Sequence, residues 1–216
     1  MASIAAAPYG APPTGLTQLQ VNQLYEILAR FDKLAIDMGL HYTMAAGTAL
    51  GAYLRGGLIP WDSDADIHAV DDKFVEMLPR IKLVEKLYGL RIEQHLMEET
   101  RFSGKCGWYK IHLGDIKEPN VDIFLLEYKD DKKFWSDSDT HQYKWRKGRR
   151  HLYSEQFFSV RRIPFGPLNL PIFAQPERYF DAYYGVEWRI RSREREVTEK
   201  VPPSHFTDFR PALPTS

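Results

Sequence analysis

The chain has 216 residues, 44% of them hydrophobic and 27% charged, which suits one soluble globular domain with a proper core. Its 29 basic and 29 acidic residues cancel, so no whole-molecule field selects nucleic acid or an anionic membrane as partner. The single cysteine, Cys106, excludes an internal disulfide framework and a cysteine-based zinc cluster, and reads as a packed thiol rather than a nucleophile.

The opening MASIAAAPYGAPPTG is small, Pro-rich and Gly-rich, and residues 1–16 are expected to form a flexible tail. It lacks the charged start and apolar centre of a signal peptide, and no run approaches the roughly twenty apolar residues of a membrane span. The expected location is therefore the cytoplasm, or the Golgi lumen if the sequence is a piece of a longer secretory-pathway protein. From Thr17 apolar residues recur at helical spacing to Ile36, with Thr17 as N-cap and Gly39 as stop. His41 to Ala45 reads as a strand that turns through Gly47-Thr48 into a short helix ending near Arg55, a place where backbone N–H groups can face a phosphate.

Gly56 and Gly57 break that helix, and Pro60-Trp61 lead into a strand that carries Asp62, Asp64 and Asp66 at every second position. Alternation along a strand would put the three carboxylates on one face, where their repulsion raises a pKa unless a divalent cation holds them together. Mg²⁺ and Mn²⁺ take oxygen ligands of this kind; the competing reading is a solvated acidic turn. One helix is expected from Asp71 to about Tyr88, then strands over Leu90–Met97, Gly107–Leu113 and Val121–Leu126. Asp122, a charge among Val, Ile, Phe and Leu, either faces a cation or sits at an exposed strand end. The polar segment from Lys129 to Arg150 receives no element, and its KWRKGRR cluster reads as a solvated face in preference to a nucleic-acid patch or a local clamp for a phosphorylated substrate. Strands over Phe157–Ile163 and Leu168–Phe173, a helix over Gln175–Gly185 and a charged, Pro-rich tail over 191–216 complete the chain, leaving residues 17–190 as the globular domain.

A Gly47-Thr48 turn, an Asp64-x-Asp66 pair and a later lone Asp122 follow the layout of the nucleotidyltransferase fold. More narrowly, AGTALGAYLRGGLIPWDSDADI, VDIFLLE and IPFGPLNLPIFAQPERYFDAYYGVEW resemble, in order, three blocks of the LicD and fukutin-related family. The resemblance implies an α+β fold with a nucleotidyltransferase-like mixed sheet flanked by helices. It implies a phosphotransferase that moves phosphocholine or an alditol phosphate from a CDP-linked donor to a glycan or glycolipid hydroxyl and releases CMP. Asp64 and Asp66 would hold Mg²⁺ or Mn²⁺, with Asp62 beside them as a ligand or a supporting carboxylate, and Asp122 as a further ligand or as general base. Gly47 and Thr48 would approach the donor phosphates, and Lys110 either binds phosphate or merely snorkels. Trp188 and the Tyr184-Gly185 turn are expected to be structural.

Ser63 and Ala65 depart from the residues usual in the family without removing a ligand, and the zinc insertion of some animal members has no counterpart in these 216 residues. Two rival readings stand beside this one: a nucleotidyltransferase that leaves the nucleotide on a small hydroxylated acceptor, and a catalytically silent binding module.

Overall fold

The structure, a computed structural model, describes residues 16–59, 62–95, 108–129, 132–135, 151–153 and 159–190. Outside them lie the expected tails up to residue 15 and from 191, Pro60-Trp61, Cys106 and the basic cluster 144–150.

The first helix, α1 (Gln18–Met38), starts at a capping box in which Thr17 and Gln20 satisfy each other's backbone donors. Its stop is Gly39 in the left-handed conformation. Val21, Leu24, Leu28, Phe31 and Leu34 form its buried stripe. Strand β1 (Tyr42–Met44) leads into α2 (Ala46–Arg55), and β2 (Ala65–Val70) returns antiparallel to β1.

The helix expected over Asp71–Tyr88 is broken. It consists of α3 (Asp71–Met77), a 3-10 turn over Leu78–Arg80 and α4 (Ile81–Tyr88). Pro79 is the cause, since it has no N–H for the helical ladder and its ring crowds the preceding turn. The chain then forms β3 (Leu90–His95), β4 (Trp108–Leu113) and the long β5 (Ile116–Lys129), which begins five residues earlier than its apolar run suggests. Strands β6 (Lys132–Trp135) and β7 (His151–Tyr153) extend the sheet from the far end of β5, in a segment for which the sequence suggests no element.

The central sheet runs β1-β2-β5-β4-β3. β2 and β5 are parallel, and the other neighbours antiparallel, so the architecture is α+β with a mixed sheet flanked by helices. A hairpin of β8 (Val160–Phe165) and β9 (Leu168–Phe173) forms a second, two-stranded sheet, followed by α5 (Pro176–Tyr184) with Pro at its first turn. Buried Trp188 packs edge-on against Phe180 of α5 and donates from Nε1 to Asp181 at 2.8 Å, a structural role. Among the described residues no helix is long and apolar enough to cross a membrane.

Candidate functional site

Register decides what the sheet brings together. Asp66 of β2 pairs with Asp122 of β5, Asp122 with Lys110 of β4, and Lys110 with Glu93 of β3. Directly paired residues share a face, so these four side chains form one row across the sheet. Asp64, two positions before Asp66, joins it: a carboxylate oxygen from each of Asp64, Asp66 and Asp122 lies within 4.8 Å of the others. Such spacing is what a hard divalent cation needs from oxygen ligands, and the three residues fit one.

The electrostatics agree with that fit. Burial, with the Asp122 carboxylate second, pushes the Asp64 carboxyl above its ordinary range, while Lys110 pulls the other way. Lys110 Nζ stands 2.8 Å from Asp122 Oδ1, in a pair whose side chains are 24% and 13% exposed. Lys110 is thus paired with one of the acids. The same Oδ1 accepts a second hydrogen bond, at 2.8 Å, from Asn120 Nδ2.

Asp62 is placed differently. Its backbone N–H donates to Ile59 O in the turn before β2, so the period of two that joins Asp64 to Asp66 does not extend back to it. Its carboxylate lies over Gly47 at the start of α2, so close that a side-chain carbon at position 47 would overlap it. α2 has no side-chain cap at Ala45, and a carboxylate at its N-terminus complements the exposed N–H groups there. Gly51 has a related duty: a Cβ there would strike Gly57 O and Ile59, so glycine lets the returning loop lie against the helix.

Thr48 is buried at 2% exposure, and its Oγ1 accepts the Asp66 N–H at 2.7 Å. The Gly47-Thr48 turn is thereby tied to the strand that carries the acids. Ala46, at φ +42° in a region that costs a non-glycine residue energy, donates its N–H to Tyr179 Oη of α5 at 2.9 Å. Behind the acid row lies His68, which burial pushes down to about 3 and so keeps neutral, with Phe124 and Tyr179 at its ring edges. Asn120, Tyr179 and His68 escape sequence reasoning. Their partners lie across a strand register or on a distant helix, and the only local hint is Asn120 two positions before Asp122.

The profile of the family described as LicD/FKTN/FKRP, nucleotidyltransferase domain, matches residues 39–175, well over half of the chain. A curated relative, the ribitol-5-phosphate transferase FKTN of Mus musculus, is 26% identical over 172 residues, covering 76% of this chain. The chain spans 33% of that relative's length. Among solved structures, the crystal structure of ANT(2")-Ia in complex with adenylyl-2"-tobramycin covers 84% of this chain and 95% of its own at TM-score 0.40 and 15% identity. A solution structure of the same factor covers 86% and 91% at TM-score 0.40 and 14% identity. Likeness at that level carries no argument about function.

Proposed function

The chain belongs to the LicD/FKTN/FKRP family, and from that membership we propose that it is a metal-dependent phosphotransferase. In this reading it moves phosphocholine or an alditol phosphate from a CDP-activated donor to a glycan hydroxyl and releases CMP. The observation that carries the reading is the convergence of Asp64, Asp66 and Asp122 within the matched segment.

Asp64 and Asp66 would be the principal ligands of Mg²⁺ or Mn²⁺, with Asp122 as a third ligand or as general base. The ion, when bound, would supply charge neutralisation at the donor diphosphate. The acceptor oxygen bonds to the phosphorus carrying the head group, the bridging P–O bond to CMP breaks, and Asp122 in its role as base takes the hydroxyl proton. Lys110, paired with Asp122 in the free protein, would turn its flexible ammonium to a donor phosphate oxygen. Gly47 leaves room for the Asp62 carboxylate at the N-terminus of α2, Thr48 fixes the turn, and the two would lie beside the approach of the donor phosphates, with Asp62 supporting the site rather than ligating the ion directly.

CDP-choline, CDP-ribitol, CDP-glycerol and CDP-ethanolamine are the donors to test, with and without Mn²⁺. Metal-dependent release of free CMP from one of them is the expected result. A nucleotidyltransferase would instead leave the nucleotide on the acceptor. A silent binding module would give no product with any donor, and either result removes the phosphotransferase reading.

A further inference from the structure

We infer that Asn120 is a positioning residue for Asp122, an inference that rests on the metal reading above and specifies how the third carboxylate is aimed. Asn120 lies on β5, 2% exposed, two positions before Asp122. The strand's alternation sends both side chains to one face, where Asn120 Nδ2 donates to Asp122 Oδ1 at 2.8 Å. Lys110 Nζ donates to the same oxygen at 2.8 Å. A carboxylate oxygen that accepts two donors has its lone pairs committed. Oδ2 is then the atom that Asp122 offers to an ion held with Asp64 and Asp66.

The two donors differ in kind. Lys110 brings positive charge, which lowers the attraction of the site for a cation, and its long stem is free to leave for a phosphate. Asn120 brings direction without charge, on a short side chain fixed by burial. Its hydrogen bond persists when Lys110 moves, and keeps the Asp122 carboxylate from turning about its last torsion. Removing it changes no formal charge, so a change in metal affinity is not the loss of a charge, and a changed bound-Mn²⁺ spectrum reports the altered orientation. Hydrogen-bond partners behind metal ligands of this kind typically account for about 10–100-fold in affinity.

The test is a Mn²⁺ titration of the full chain, read by the loss of the free-Mn²⁺ electron paramagnetic resonance signal and by the rise in melting temperature. It compares wild type, Asp64→Asn and Asn120→Leu, with folding checked by circular dichroism. Wild type is expected to bind, Asp64→Asn to lose binding, and Asn120→Leu to bind about tenfold more weakly with an altered bound-Mn²⁺ spectrum. If the leucine variant does not fold, Asn120→Ala carries the same comparison. A folded Asn120 variant that binds Mn²⁺ within about twofold of wild type overturns the inference and leaves the metal reading standing. A wild-type protein that binds no Mn²⁺ overturns both.

Discussion

The two faces of the central sheet are made from the same strands and do opposite things. On one face Ala65, Ile67 and Ala69 of β2, Tyr109 and Ile111 of β4, and Val121, Ile123 and Leu125 of β5 join the buried stripe of α1 in a single core cluster. On the other, one residue further along each strand, stand Asp66, Lys110 and Asp122, with Asp64 at the edge; further along this face His68 and Phe124 are buried and Val70 and Leu126 rejoin the core cluster. The first face holds the sheet to its helix by burying apolar surface. At its acid-bearing end the second gathers like charges, where Lys110 and Asn120 engage Asp122. Around the acids, stability and chemistry thus lie a single step apart in the strand period, and that separation can be attacked from either side.

The largest effect is expected on the charged face. Asp64→Asn should lower metal-dependent CMP release by about a hundredfold or more, since it removes a ligand for the ion that neutralises the leaving group. Its melting temperature in metal-free buffer should stay level or rise, because burial and Asp122 already oppose the charge on Asp64. A clear fall in metal-free melting temperature would mean that this face also supports the fold. On the opposite face, Ile123→Ala should cost about 2–5 kcal/mol in urea unfolding, the usual range for truncating a buried Ile. Mn²⁺ binding by the folded fraction should be unchanged. Loss of that binding while the protein remains folded would show the two faces to be coupled.

The smallest effect lies between them. Thr48→Val keeps the side-chain shape and removes the acceptor for the Asp66 N–H, at a cost of about 1–3 kcal/mol for a buried donor left unpaired. Equilibrium urea melts measure that cost, and a parallel Mn²⁺ titration measures whether the tie also aims the Asp66 carboxylate. No change in either would reduce Thr48 to packing.

The sheet was readable wherever strand residues are apolar on one or both faces, as in Val121–Leu126 and Leu168–Phe173. Helical spacing misleads at Pro79, because Phe74, Met77, Ile81 and Val84 keep their period across a break that the proline creates. β6 and β7 carry no alternation to read, and their pairing depends on the extended end of β5. At the site, the spacing of Asp64 and Asp66 and the anomaly of Asp122 pointed to three side chains that the structure brings together. Asp62 shares their spacing in the sequence, but β2 begins only at Ala65 and the Asp62 N–H closes onto Ile59 O. The hydroxyl of Thr48, the amide of Asn120 and the phenol of Tyr179 act on groups set by register and by the packing of α5, which no local pattern encodes.

The parallel pairing of β2 with β5 also governs when the acids can meet. Asp66 and Asp122 become neighbours only after α3, α4, β3 and β4 have been threaded between them in the chain, so their encounter carries a loop-closure cost that local helices do not. A partly folded chain with α1 and the β4–β5 hairpin formed would possess Asp122 and Lys110 in contact, yet would still lack two of the three carboxylates. Capture of a cation would then report the pairing of β2 with β5, and the ion would stabilise only chains in which that pairing has formed.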